Sequence, residues 1–257
     1  MSGASLEQAG AGSAIYPSLR GKRVLVTGGG SGIGAGIVEA FAGQDAHVTF
    51  FDICEDESRE LAESLNAGFE RVDLTNIAAT QASIARLVEE AGPFDVLVNN
   101  AANDDRHKVE DVTEEYWDNR VAVNLKHLFF CAQSVIPGMR QKGGGAIVNL
   151  GSISWHLALP ELVLYQTCKA GIEGLTRALA RELGPDNIRV NCVVPGNVRT
   201  PRQLKWYTPE GEAEIVAAQC LKGRLVPKDI AAMILFLASD EARLVSGHEH
   251  FVDAGWR

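Results

Sequence analysis

The sequence predicts an α/β fold: one doubly wound parallel sheet with helices on both faces. Three observations predict it. Short β-branched runs alternate with stretches of helical apolar spacing along almost the whole chain. A glycine-rich turn joins the first such run to the first helical stretch. No composition shift or low-complexity tract divides the chain after its N-terminal tail, so 15–257 reads as a single domain. With 257 residues the chain is long enough for a substantial core.

Taken in order, 1–14 is rich in Gly, Ser and Ala and reads as a flexible tail. RVLVT at 23–27 is a buried strand, and 33–42 is the helix after the glycine turn. HVTFFD at 47–52 is the second strand. A helix with early acidic residues follows at 56–65, then a third strand, FERVDL, at 69–74. Helix 80–91 leads to strand FDVLVNNA at 94–101. In the second half, 114–140 reads as one long helix, GAIVNLGS at 145–152 as a strand, and 162–183 as a helix closed by Gly184-Pro185. IRVNCVVPG at 188–196 is the sixth strand. Residues 197–222 break the period with Thr200-Pro201, Trp206-Tyr207 and Thr208-Pro209, and read as an insertion behind a strand end. Helix 229–238 and strand HEHFVDA at 248–254 complete the sheet.

Composition excludes several classes. Hydrophobic residues at 46% and charged residues at 22% are in the globular range, which argues against a disordered chain. The 24 cations against 33 anions leave a net charge of -9, which repels nucleic acid and anionic lipid, so neither is an expected partner. No apolar run approaches the ~20 residues of a membrane span. The first residues lack the basic and apolar regions of a secretion signal, so the expected location is the cytoplasm. The five cysteines (54, 131, 168, 192, 220) form no CxxC pair, which argues against a disulfide framework and a zinc site. No metal is expected.

The turn TGGGSGIG at 27–34 follows a strand and opens a helix, the setting in which glycines seat a dinucleotide. Gly28 suits the tight turn, Gly32 the backbone approach to a pyrophosphate, and Gly34 close helix–strand packing; the helix N-terminal amides face the negative charge. This makes the expected sheet Rossmann-type. Asp52 ends the second strand about 20 residues later, where a carboxylate hydrogen-bonds the adenosine ribose and repels a 2′-phosphate. No Arg or Lys neighbours it in sequence, so NAD is expected over NADP. Asp73 ends the third strand similarly, near the expected adenine.

Tyr165 and Lys169 in YQTCK share one helix face, and a nearby ammonium favours phenolate. Ser152 ends the preceding strand and offers a hydroxyl to a reacting oxygen. Tyr and Lys at that spacing mean little alone; the combination with the nucleotide turn discriminates. With TGGGSGIG, Asp73-Leu74, NNAA at 99–102, Asn124, Ser152, YQTCK and Pro195-Gly196 together, the chain resembles the short-chain dehydrogenase/reductase family over 20–257. The resemblance implies a catalytic tetrad of Asn124, Ser152, Tyr165 and Lys169. Tyr165 would be the acid/base, and Lys169 would hold the nicotinamide ribose and tune Tyr165. Ser152 would position substrate, and Asn124 would hold a relay water. Dinucleotide contacts would fall on Gly28, Ser31, Gly32, Ile33, Gly34, Asp52, Ile53, Asp73, Leu74, Asn100, Ala101, Tyr165, Lys169, Pro195, Gly196, Val198 and Thr200. Ala102 departs from the family's usual glycine. The family's common homotetramer would pack helices 114–140 and 162–183.

The longer stretches NDDRHK, GSISWHL, PGNVRTPRQ, KWYTPEGEAEIVAAQCLKGR and GHEHFVDAGWR resemble the aldose 1-dehydrogenase branch of that family. They imply oxidation of an aldose, D-xylose or a related pentose or hexose, at the anomeric carbon to a lactone. Polar and aromatic candidates for a sugar pocket are Asn103, Ser152, Ser154, Tyr165, Asn197 and Trp206, with Trp155, His156 and Gln203 beside them. For each aromatic, loop packing is an equal reading. Asp104, Asp105 and Arg106 read equally well as a surface charge cluster. A second reading keeps the catalyst and changes the substrate to a polyol or a 2-keto-3-deoxy sugar acid, which would require Arg106, Arg199 or Arg202 in the pocket. A third is a dinucleotide sensor without turnover. The 197–222 stretch has the length of a lid over the site.

Overall fold

A computed structural model describes residues 14–204 and 207–256. Its order of elements is β1 (Arg23–Thr27), α1 (Gly32–Ala42), β2 (His47–Asp52), α2 (Glu55–Leu65), β3 (Gly68–Arg71), α3 (Ile77–Ala91), β4 (Val96–Asn99) and α4 (Glu114–Val121). There follow a π-helical turn (Ala122–Lys126), α5 (His127–Lys142), β5 (Gly145–Leu150), α6 (Ile153–His156), α7 (Val163–Leu183) and β6 (Ile188–Pro195). The last elements are α8 (Pro201–Leu204), α9 (Pro209–Ala218), α10 (Pro227–Ala238) and β7 (Glu249–Val252).

The seven strands form one sheet in the order β3-β2-β1-β4-β5-β6-β7. Every pairing is parallel, as the strand–helix alternation predicts. In β1 the side chains alternate between faces. Val24 and Val26 join a core with Ile37 and Phe41 of α1 and Ile230 and Ile234 of α10. Leu25 joins the opposite core with Ile84 of α3, Val135 and Met139 of α5, and Leu179 of α7. A sheet buried on both faces needs continuous apolar strands, and β4 (VLVN) is buried at every position.

Helix ends follow local chemistry. Asn76 caps α3 by accepting from the Ala79 N–H, and Asn66, at φ +52°, ends α2 in the left-handed region. Elements shorter than the sequence suggests have polar reasons. β3 stops at Arg71 rather than 74, because the Asp73 carboxylate accepts from the N–H and hydroxyl of Thr75 and folds a turn. β4 stops at Asn99, because the Asn100 and Ala101 amides donate to the Thr27 hydroxyl. The long helix expected at 114–140 is broken by the π turn that carries Asn124. The 197–222 stretch holds the two helices α8 and α9.

The order reverses at β1 and β4, so their carboxyl ends open a crevice between diverging loops. Beneath it runs a buried relay across three elements. Asn99 Nδ2 donates to Asn149 Oδ1 at 2.9 Å, and Asn149 Nδ2 donates to Thr176 Oγ1 at 3.0 Å. All three residues are at most 1% exposed. Replacing Asn149 by Ala strands both partners, so urea unfolding should report a loss of about 2 kcal/mol; an unchanged midpoint would contradict the role of the relay.

Candidate active site

The crevice begins at the glycine turn. Gly28 has φ +66°, and a side chain there would meet the Ala101 Cα at 2.8 Å. At Gly34 a Cβ would lie 1.8 Å from the Gly28 carbonyl oxygen, so only glycine lets α1 leave the strand at this angle. Gly32, at φ +56°, faces the methyl of Thr200 across the crevice. Ser31 stands at the N-cap of α1 without forming a capping bond, which leaves the first-turn amides available to an anion. This bare helix start behind a glycine turn fits a dinucleotide diphosphate.

Asp52 sits beside the turn, where its carboxylate accepts three backbone N–H groups. Gly30 lies at 2.8 Å, Ile53 at 2.7 Å and Cys54 at 3.0 Å. The Ile53 side chain is 61% exposed beside it. The sequence places no cation next to Asp52, but strand pairing brings one: Arg71 is the register partner of Asp52, and its Nε donates to the Ile53 carbonyl at 3.4 Å. Arg71 also lies 3.9 Å from Glu55. Asn100 Nδ2 donates to the carbonyls of Thr27 and Gly28, tying the β4 loop to the turn. Asp73 is engaged with Thr75, and Leu74 is buried in the core, so Leu74 offers the crevice only its backbone. Val198 likewise turns inward, bridging to Leu225. At Gly196 a Cβ would clash with Asp253, which keeps the chain after Pro195 close to the end of β7.

On the β5 side of the crevice, Lys169 is 2% exposed, and its Nζ donates to the Leu150 carbonyl at 2.7 Å. Burial lowers its pKa to about 8. One helical turn earlier, the ring centroid of Tyr165 lies 5.4 Å from that ammonium. Ser152, two residues past Leu150, donates to the Ser154 hydroxyl at 2.9 Å and lies near enough to Tyr165 to favour its phenolate. The sequence expectation has Lys169 drawing the phenol down. In the structure burial pushes the phenol up, with the Asp104 carboxylate adding to the rise, and the groups that oppose it are Ser152 and Arg202 rather than Lys169. Asn124 is fully buried in the π turn. Its Nδ2 donates to the carbonyls of Asn103 and Arg120, and its Oδ1 accepts the Asn103 N–H. Both amide hydrogens are therefore taken, and the side chain fixes the Asn103 loop.

The remaining sugar-pocket candidates divide. Trp155 and His156 meet on Glu173 of α7, where the Trp155 indole N–H donates to Glu173 Oε1 and His156 Nε2 meets the same oxygen, both at 2.9 Å. They pack, as the alternative reading of each allows. Ser154 is buried against Ser152. Asn197 Oδ1 lies 2.8 Å from the Tyr207 hydroxyl and 2.9 Å from Arg224 Nη2. Gln203 Nε2 donates to Asp104, and Arg202 pairs with Asp104 and Asp105, so the 197–222 stretch is tied to the loop after β4. Arg106 donates to the Pro160 carbonyl and pairs loosely with Glu161. Trp206, like the tail at 1–13, lies outside the described residues.

Comparison with known proteins gives a family model described as "Enoyl-(Acyl carrier protein) reductase" that matches residues 28–257. The protein of Caulobacter vibrioides named "D-xylose 1-dehydrogenase" is 64% identical over 250 residues, covering 95% of this chain and 99% of its own. The Rhizobium meliloti protein named "Probable galactose dehydrogenase GalD" is 49% identical, covering 95% of this chain and 98% of its own. The solved structure of Thermoplasma acidophilum aldohexose dehydrogenase superposes with a TM-score of 0.86 at 29% identity, covering 94% of this chain and 96% of its own. The chain belongs to the short-chain dehydrogenase/reductase family. It is an oxidoreductase of the nicotinamide-dependent kind. No helix among the described residues is long and apolar enough to cross a membrane.

Sequence reasoning misses several residues that hold this dehydrogenase site together. His127, fully buried at the start of α5, places Nε2 3.2 Å from the Ala101 carbonyl. Burial pulls its pKa to about 4, so the neutral ring donates. Asn99 and Asn149 had a usable signal, since each is an amide inside an otherwise apolar strand run. Arg71 and Arg120 had none, because only the folded chain brings them to the crevice.

Lys169 binds its proton less tightly in the fold, at about 8, than at its ordinary value of 10.5. Between those values the unfolded chain holds the proton and the folded chain releases it, so this contribution stabilises the fold as pH rises. Below about 8 both states are charged and the burial penalty stands in full. The unfolding free energy of wild type relative to Lys169→Met should therefore rise by about 2 kcal/mol between about pH 7 and pH 10. Paired urea titrations check it, and a difference that stays flat would show that Lys169 is not desolvated.

Proposed function

We propose that the chain is an NAD-dependent aldose 1-dehydrogenase, with D-xylose or a related pentose or hexose as substrate. The observation that carries this reading is the meeting of Tyr165, Ser152 and Lys169 at one wall of a crevice whose mouth bears a charge-balanced polar cluster. A neutral aldose suits that mouth. A sugar acid would need a free cation, and Arg202, the guanidinium within electrostatic reach of Tyr165, is held by Asp104 and Asp105. The high identity to a named D-xylose 1-dehydrogenase supports the same substrate class.

The glycine turn and the start of α1 would hold the diphosphate, Asp52 the adenosine ribose, and Thr200 and Gly196 would flank the nicotinamide end. A dinucleotide held there would supply the hydride acceptor for the anomeric carbon. The chain's own groups do the rest. Ser152 hydrogen-bonds the reacting hydroxyl and Tyr165. Tyr165 takes the hydroxyl proton in its phenolate form and releases it to solvent, while the buried Lys169 ammonium keeps its own protons. Burial holds the phenol above its ordinary range, so the Lys169 ammonium, 5.4 Å from the ring, and a bound cationic ring would have to draw it down. Asn124 keeps the Asn103 loop and the π turn in place beside them. NAD is favoured because the Asp52 carboxylate, fixed by three N–H groups, would meet a 2′-phosphate.

The test is formation of reduced nicotinamide from a panel of neutral pentoses, hexoses and sugar acids, with either dinucleotide. Rapid turnover of a neutral aldose with NAD is the expected result; turnover of sugar acids alone would discard the substrate reading. Tyr165→Phe should reduce kcat by about 10³-fold or more while equilibrium binding of NAD, followed by protein fluorescence, is kept. Residual rates near wild type would remove Tyr165 from the reaction. Asp52→Ala should shift binding toward NADP by about tenfold or more, because Arg71 then meets the 2′-phosphate without an opposing carboxylate. An unchanged ratio of dissociation constants would contradict both assignments.

A further inference from the structure

We propose that Asp104 and Asp105 set the charge of the substrate by neutralising Arg202, which is otherwise a seat for the carboxylate of a hexuronic acid. This rests on the aldose 1-dehydrogenase reading and concerns the same site. Arg202 stands on α8, on the far side of the crevice from the loop that follows β4. Its Nη2 lies 2.9 Å from Asp104 Oδ1, 2.9 Å from Asp105 Oδ1 and 3.4 Å from Asn103 Oδ1. The other oxygen of Asp105 lies 3.0 Å from Arg120 Nη1. Two carboxylates and two guanidinium groups thus sum to zero charge.

The cluster stands at the crevice: Asn103, which Arg202 reaches at 3.4 Å, donates its N–H to Asn124 Oδ1 at 2.8 Å, and Thr200, two residues before Arg202, faces Gly32 of the glycine turn. It is also within reach of water: the side chains of Arg202 and Asp105 are about half exposed. An exposed guanidinium exchanges one carboxylate for another readily. A planar fork beside the catalytic hydroxyl suits bidentate capture of a carboxylate. In the wild type that seat is taken, and an incoming third carboxylate meets two like charges.

A hexuronate needs no new chemistry at the other end. The anomeric C–H bond breaks, its hydride passes to oxidised nicotinamide dinucleotide, and the hydroxyl proton leaves through Tyr165 to solvent. The anomeric C–O bond becomes the lactone carbonyl. Only the distal carboxylate distinguishes this from oxidation of a neutral aldose.

The experiment compares wild type, Asp104→Asn/Asp105→Asn, and the same double variant with Arg202→Gln. The readout is the ratio of kcat/KM for D-galacturonate to that for the best neutral aldose. Removing Asp104 alters Tyr165 for every substrate alike, so the ratio cancels that effect. The ratio should rise about tenfold or more in the double variant and fall back when Arg202 is also replaced. A ratio that stays at the wild-type value, or a rise that survives loss of Arg202, would overturn the proposal. Should the double variant fail to fold by circular dichroism, Asp104→Asn alone carries the same comparison. If the wild type oxidises no aldose, the functional reading fails by itself. Calorimetric titration of D-galacturonate into the dinucleotide-loaded proteins then still reads the seat. Tighter binding to the double variant, lost with Arg202→Gln, supports it, and equal affinity across the three proteins rejects it.

Discussion

A buried ammonium must find an acceptor, and Lys169 finds it in the Leu150 carbonyl at 2.7 Å. That single bond ties α7 to the end of β5. It fixes the height of α7 against the sheet, and with it Tyr165 one turn earlier on the same face. Ser152, two residues beyond Leu150, is thereby brought to the Tyr165 hydroxyl. Without the bond, helix and strand would still pack through apolar contacts, but the reacting groups would lose their common register. Burial lowers the proton affinity of Lys169 to about 8, so the group remains largely charged near neutrality while being easier to discharge than an exposed lysine.

The sheet supplies the other half of the site. Its order reverses between β1 and β4, and polar groups stitch the two strand ends where they diverge. Thr27 accepts from two amides of the β4 loop, and Asn100 reaches back to the turn. Neutral His127 and fully buried Asn124 hold the same loop from the helix side. The loop that would lie along a dinucleotide is therefore fastened from both directions. These bonds lie between layers of apolar packing, where an unsatisfied donor is costly, so each fixes position as well as adding stability.

Much of this was legible in the chain because it repeats a local code. The strand–helix alternation, the glycine turn and the Tyr165–Lys169 spacing each follow from backbone geometry within a few residues. The first two strands, 23–27 and 47–52, fall where the pattern puts them. What was not legible depends on distant pairing. Arg71 reaches the Asp52 corner only through the β2–β3 register. The break in the long helix at 122–126 has no proline or glycine to announce it. Trp155 and His156 read in sequence equally as sugar ligands or as loop packing, and only the fold shows that one buried carboxylate, Glu173, holds both. The stopping points of β3 and β4 are set by side-chain acceptors that compete with the ladder, a contest that periodicity does not register.

Charge at the mouth connects the fold to the choice of substrate. A loop after β4 and a short helix after β6 meet through Arg202, and the balance they strike leaves a polar, neutral rim at the mouth of the crevice. In the proposed reaction hydride leaves the anomeric carbon of a neutral aldose while Tyr165 takes the adjoining proton. Carbon NMR of the product formed from an aldose labelled with ¹³C at the anomeric position tests it most directly. The account predicts that the label appears as a lactone carbonyl and then as an aldonate carboxylate. A label that persists as a hemiacetal carbon while the cofactor is reduced would place oxidation at another hydroxyl and contradict it.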